Sequence, residues 1–142
     1  MTPQELQQRT FDFGLRAYEF SRPLLRNIET RHVGNQLIRA ATSVAANNRA
    51  AGHARSRREF CSKIGTVREE SDESLFWLDF IRAAKLATGQ LVKDLAQEAR
   101  ELAAIFSASY RTAKRRLNAQ RLARRRARRE RERLKSDKKA LK

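Results

Sequence analysis

The chain has 142 residues, of which 34% are charged, with 32 Lys/Arg against 16 Asp/Glu, five Gly, two Pro and a single Cys. Such a length suits one domain around one core, the abundance of Ala, Leu, Arg, Glu and Lys with no Asn-Gly or Asp-Gly signal argues for helix over hairpins, and a lone Cys61 excludes an intramolecular disulfide. The net charge of +16 is concentrated in residues 111–142, which hold 16 Lys/Arg and 3 Asp/Glu, so a near-neutral body carries a polycation that needs a polyanion or solvent around it.

Four helical segments are expected in chain order. The first spans about Thr2 to Ile28, with Leu6, Phe13, Ala17, Phe20, Leu24 and Ile28 at helical spacing and Phe11, Leu15, Tyr18 and Leu25 widening the stripe to a core-facing band. Pro23 should kink or break it near Glu19–Arg22. After a connection at Glu29–His32, the second helix runs from about His32 to Ala51. Its apolar side is Val33, Leu37, Ala40, Ala41, Val44 and Ala51, and its many small residues suit a helix in the middle of the assembly. Gly52 fits a left-handed residue closing it.

Ser56 and Glu59 form a capping box for the third helix, which is expected to reach about Ala87. Phe60, Ile64, Val67, Ser71, Ser74, Leu78 and Ile81 make its central row, flanked by Phe76, Trp77, Phe80 and Ala84. These aromatics mark it as the largest contributor to the core. Thr88-Gly89 ends it. The fourth helix begins near Leu91 and keeps its period through Leu95, Leu102, Phe106, Ala113 and Leu117. Past Leu117, residues 118–134 either extend it as a charged rod or fray, and the closing SDKKALK reads as disordered. The pattern is that of an all-α, antiparallel up-down four-helix bundle over residues 1–117, with a basic C-terminal helical extension over residues 118–142.

Several polar groupings invite a chemical reading. Glu29-Thr30-Arg31-His32 has the Glu-x-x-His spacing of bundle iron sites, but such a site needs a second pair and two further carboxylates, and the only other histidine, His53, lacks them. No metal or cofactor is expected. Glu69, Glu70, Asp72 and Glu73 cluster on the third helix, where ion pairing with Arg39, Arg49, Arg55 or Arg68 outweighs an acid/base role. Gln36, Arg39, Ser43 and Asn47, with Asn48 beside them, form a polar row that either is hydrogen-bonded internally or faces a partner subunit. No nucleophile, base and orienting group come together, so the chain is read as non-enzymatic.

The tail KRRLNAQRLARRRARRERERLKSDKK is the strongest signal. Arginine matches phosphate with a planar fork and stacks on bases, and Arg-rich segments commonly hold RNA. HARSRR in the second turn is a separate basic patch. An antiparallel bundle puts that turn at the same end as the close of the fourth helix, so the two clusters can make one surface. The expected nucleic-acid-binding residues are Arg55, Arg57, Arg58, Lys114, Arg115, Arg116, Arg121, Arg124, Arg125, Arg126, Arg128 and Arg129. A membrane partner is not expected, since no apolar run approaches the roughly 20 residues of a spanning helix and no aromatic follows Tyr110. With no secretory signal visible at the start, a cytoplasmic location is expected.

Residues 36–81 carry a more specific pattern: Gln36, RAATSV at Arg39–Val44, Ala46-Asn47, the basic turn through Arg55, Glu59-Phe60, and EESDESLFWL at Glu69–Leu78. This segment resembles the four-helix-bundle family of 23S rRNA intervening-sequence proteins, and is similar to the accessory variability determinant (Avd) of diversity-generating retroelements. It departs from the commonest version, which has Asn-Ile-x-Glu-Gly after the small-residue helix. The resemblance implies a homo-oligomeric ring, best known as a pentamer, in a bacterial or phage protein without catalytic activity, and for the Avd likeness a partnership with a reverse transcriptase and its RNA. The function expected is therefore an oligomeric, RNA-binding scaffold. Its rival is a protein–protein interaction module whose basic tail docks on an acidic partner.

Overall fold

The computed structural model describes residues 1–142. It is an all-helical bundle without strands: α1 (Pro3–Ser21), a 3-10 turn (Arg22–Arg26), α2 (Arg31–Ala51), α3 (Arg57–Ala83) and α4 (Gln90–Ala140). Packing follows chain order. Helix α2 lies between α1 and α3, α3 lies between α2 and α4, and a lighter α1–α4 contact closes the ring.

Each helix boundary has a local cause. Thr2 caps α1: its hydroxyl accepts the Glu5 N–H at 3.1 Å while the Glu5 carboxylate accepts the Thr2 N–H at 2.7 Å, so two otherwise unpaired donors are satisfied reciprocally. The helix stops at Ser21 because Pro23 supplies no N–H, and the chain tightens into the 3-10 turn. The break expected at Pro23 therefore occurs, and the apolar stripe ends one residue later at Leu24, which is buried in the core. Ile28, expected to continue that stripe, is 81% exposed. The start of α2 closes the turn: the Thr30 hydroxyl donates to the Leu24 carbonyl at 2.6 Å and Arg31 Nε to the Leu25 carbonyl at 3.0 Å.

Small residues place α2 centrally. A Cβ on Gly14 of α1 would sit 3.3 Å from the Ala41 carbonyl oxygen of α2, so the two backbones approach closely enough that a larger residue would push them apart by a few tenths of an ångström. Gly52 does not adopt the left-handed conformation expected of it; at φ −64° and ψ −17° it is right-handed. The chain instead makes a further turn, with His53 and Ala54 N–H groups bonded to the Ala50 and Ala51 carbonyls. The left-handed residue lies elsewhere. Helix α3 ends at Ala83, short of the expected Ala87, because Lys85 takes φ 57°. Its N–H donates to the Arg82 carbonyl at 3.1 Å and the Leu86 N–H to the Ile81 carbonyl at 3.0 Å, the paired bonds that cap a helix C-terminus. Leu86 then packs back on the core.

The core consists of one cluster including Phe13, Leu37, Val44, Val67, Leu78, Ile81, Leu95, Leu102 and Phe106. Ile64, Leu78, Leu95, Leu102 and Phe106 are buried as expected, but Phe60 is 38% exposed and belongs to no core cluster. Phe11, Leu15 and Tyr18 also face outward, because α1 touches the bundle along a narrower stripe than its apolar content suggests. Nor do the α3 aromatics dominate the core. Phe76 and Phe80 are exposed, and Trp77 packs edge-on against both and against His32, with ring centroids 4.9–5.9 Å apart.

Several polar residues of α2 are paired, within the helix or across to α1 and α3. Asn48 is buried and donates to the Thr10 hydroxyl at 3.3 Å, and Asn47 donates to the Ser43 carbonyl at 3.0 Å. Of the arginines expected to neutralise the acidic cluster of α3, Arg39 does so, reaching Glu73 at 3.0 Å. Arg49, Arg55 and Arg68 form no ion pair with it.

Helix α4 is 51 residues long, about 75 Å at 1.5 Å per residue. A small cluster of Cys61, Ala113 and Leu117 ends its packed part. Beyond that, the helix continues alone to Ala140 and contradicts the disorder expected for SDKKALK. Strong helix formers, the pairs Arg128–Glu132 at 3.0 Å and Glu130–Arg133 at 2.8 Å, and Lys138 and Lys139 at the negative end of the helix dipole all favour that state.

Candidate nucleic-acid interface

The arginines of the second turn and those of the extension meet because of the period of α4. Leu95, Leu102, Phe106, Ala113 and Leu117 make its buried seam. Steps of four and three residues from Leu117 reach Arg121, Arg124, Arg128, Arg131 and Lys135. The stripe that packs the bundle thus changes from apolar to cationic on the same side of the same helix. The α2–α3 turn lies directly beside this change. Arg55, Arg57 and Arg58 line one cleft with Leu117, Gln120, Arg121 and Arg124, a volume of about 400 Å³.

Five guanidinium groups converge there, and none of them forms an ion pair. Arg57 and Arg58 also occupy the first turn of α3, where the helix dipole disfavours cations. Glu59 is the nearest carboxylate in sequence, and it is spent on the backbone, accepting the Arg55 N–H at 3.2 Å. The capping box expected at Ser56 is thereby shifted: Ser56 accepts the Glu59 N–H at 3.0 Å, but Glu59 reaches back to Arg55 instead of to Ser56 itself. Concentrated positive charge without internal compensation suits an incoming anion, and a helix N-terminus adds to the attraction.

The other expected residues distribute differently. Arg116 joins Arg55 and Arg57 along an adjoining groove that also holds Phe60, Ser109 and Thr112. Lys114 and Arg115 turn toward a separate cleft with Arg68, Tyr110 and Arg111. Arg125, Arg126 and Arg129 are exposed along the free rod, and Arg128 is partly neutralised by Glu132. Arg68, expected only as a partner of the acidic cluster, and Arg111 are cations of the Tyr110 cleft that lie outside the nucleic-acid-binding set expected from sequence. Arg68 lies 4.3 Å above the Tyr110 ring, a cation–π pairing that depends on how α3 crosses α4 and leaves no mark in sequence spacing. No helix is long and apolar enough to cross a membrane.

Comparison with known proteins gives a consistent fold. The sequence model of the 23S rRNA-intervening sequence protein family matches residues 3–108. That range includes the second turn and stops before the cationic extension. A crystal structure of a protein with unknown function from the S23 ribosomal protein family of Bacteroides thetaiotaomicron VPI-5482 superposes with a TM-score of 0.68 at 21% identity, covering 73% of this chain and 96% of that one. Among curated proteins there is no match.

Proposed function

The chain belongs to the 23S rRNA-intervening sequence protein family, and from that premise we propose that it is a non-catalytic, oligomeric scaffold that binds RNA. The observation carrying this reading is the cleft of Arg55, Arg57, Arg58, Arg121 and Arg124, five cations from two distant parts of the chain with no internal counter-charge. Phosphate oxygens are the complementary ligand, and binding releases condensed counterions. Little base specificity is expected from the charges themselves, since contacts to phosphate position a nucleic acid without reading it.

Assembly multiplies the effect. Phe11, Leu15 and Tyr18 on α1, and Phe76 and Phe80 on α3, leave two separate apolar faces exposed, which suits burial between copies. A pentamer, the ring implied by the resemblance of residues 36–81, carries a formal charge of about +80 from five chains of +16. In finer form, the protein is an accessory of a diversity-generating retroelement reverse transcriptase, like Avd.

The test is binding titrated against salt, with RNA, duplex DNA, single-stranded DNA and polyglutamate as ligands. Affinity for RNA that falls linearly in log–log form with salt, and exceeds that for polyglutamate at matched charge, supports the scaffold. Preferential binding of polyglutamate favours the rival, an acidic protein partner. Light scattering tests the ring, and a single 16.4 kDa species counts against it.

A further inference from the structure

Phe60 is the anomaly of the basic end. It lies at a position of α3 that the helical period assigns to the core, yet 38% of it is exposed and it packs with neither core cluster. It lines a groove of about 910 Å³ between the start of α3 and the stretch of α4 from Ala108 to Arg116. Ala51, Ala54, Ala108 and Ala113 line the groove with Phe60, and their short side chains add apolar surface without filling the space. Ser109 and Thr112 bring hydroxyl groups to the groove, and Arg55, Arg57 and Arg116 bring three guanidinium groups. None of the three is ion-paired. Arg55, Ser56 and Arg57 also line the five-arginine cleft, so groove and cleft share a wall.

An apolar slot with an aromatic face, hydroxyls for a base edge and cations for phosphates has the chemistry of a nucleotide, and specifically of an unpaired one. A base inside a duplex has both faces covered and cannot stack on a side chain. We infer that this groove holds one unpaired nucleobase against Phe60, with its flanking phosphates on Arg55, Arg57 and Arg116. The inference rests on the nucleic-acid reading above and sharpens it: the preferred ligand has a single-stranded segment, whose next phosphates continue along α4 into the cleft of Arg58, Arg121 and Arg124. Phe60 contributes stacking, which tolerates any base, and the arginines contribute charge. The two contributions are separable, because stacking carries no counterion release.

The test compares the full chain with Phe60→Ala, Phe60→Leu and Phe60→Trp, using a short oligoadenylate containing one 2-aminopurine and a fully paired stem of two blunt-ended RNA strands with the same number of phosphates. Thermal unfolding confirms that each variant folds. Phe60→Ala should weaken oligoadenylate binding by about tenfold or more, the order expected for loss of one base–aromatic stack, with an unchanged salt slope and unchanged affinity for the stem. Phe60→Leu should behave like Phe60→Ala although it keeps apolar bulk, and Phe60→Trp should retain binding. The fluorescence of 2-aminopurine, held low in the free strand by stacking on neighbouring adenines, should rise when the wild-type chain draws the base out of that stack, and the rise should be lost in Phe60→Ala. If Phe60→Ala binds oligoadenylate as tightly as wild type, or loses both ligands equally, the nucleobase site is wrong while the phosphate-binding cleft stands. If the wild-type chain binds neither ligand, both readings fall together.

Discussion

Arg9 of α1 and Glu98 of α4 lock the first and last helices of the bundle together. Arg9 Nε donates to both Glu98 carboxylate oxygens at 3.1 and 3.2 Å, Nη2 adds a third bond to Glu98, and the same Nη2 reaches Glu101 at 3.2 Å. The Arg9 and Glu98 side chains are only 27% and 16% exposed. The hydrogen bond to Glu98 raises the Arg9 pKa further, against the opposing effect of burial. Since α1 and α4 touch lightly elsewhere, this fork is the principal polar tie across the closing seam. Arg9→Ala should lower stability by about 2 kcal/mol in urea unfolding, within the range for hydrogen bonds to charged groups. Arg9→Lys should recover less than half of that, because an ammonium group cannot make the planar two-pronged contact. Full rescue by lysine would show that charge alone matters here.

Lys85 offers a gain in stability. It holds φ 57° at the close of α3 with its side chain exposed, in a conformation costing an L-residue roughly 1–2 kcal/mol. Lys85→Gly should therefore stabilise the bundle by about 1 kcal/mol, after the greater entropy of glycine in the unfolded chain is subtracted. Lys85→Val should destabilise it, since a β-branched residue tolerates positive φ least. Thermal melts of the two variants should move in opposite directions.

Glu70 should make stability depend on pH in an uncommon sense for a carboxylate. One of its oxygens is buried without a hydrogen-bond partner. Burial, then the charge of Glu73, raise its pKa, and Arg39 offsets them in part. A raised folded-state pKa means that the folded chain holds the proton more tightly than the unfolded chain does. This group's contribution to stability is thus greatest below the ordinary glutamate range and is lost as pH rises through the raised value. Glu70→Gln should be more stable than wild type at neutral pH, and the difference should shrink as the solution is acidified toward the ordinary glutamate pKa. A difference that grows on acidification would overturn the assignment.

Removing residues 118–142 deletes 12 Lys/Arg and 3 Asp/Glu and leaves a net charge of +7. The shortened chain should keep its fold and helix packing, because no buried side chain lies beyond Leu117. Its RNA affinity near physiological salt should drop by orders of magnitude, and the slope of log affinity against log salt should flatten in proportion to the cations lost. Neutralising Arg55, Arg57 and Arg58 together should act in the same direction but less strongly. An unchanged slope after truncation would place binding elsewhere on the molecule.

The fold was largely legible in the sequence. The break at Pro23, the Ser56 cap and the burial of Ile64, Leu78, Leu95, Leu102 and Phe106 all follow from local chemistry or from a period of 3.6, and both operate over a few neighbouring residues. The candidate interface was legible in part. The basic turn and the basic tail could be placed at one end of an antiparallel bundle from topology alone. Which of their arginines meet depended on the rotation of α4 about its axis, and this brings Arg121 and Arg124 to the turn while sending Lys114 and Arg115 to the other side.

Where expectation and structure part, the cause is the limited area that one helix shows its neighbours. Phe11, Leu15, Tyr18, Phe60, Phe76 and Phe80 are all apolar and all on or beside a helical stripe, yet each is exposed, because hydrophobicity marks a residue that gains from burial and does not say whether a neighbour is there to bury it. Likewise Lys85 is left-handed because Leu86 returns to the core directly after it, whereas Gly52 is right-handed because the chain there makes a further turn through His53 and Ala54. Composition and periodicity determined that the chain forms four helices and carries its positive charge at the C-terminal end, because propensity and net charge are sums over local residues. Only tertiary structure decided which faces stay open and which cations converge, because those depend on how far each helix is turned when it packs.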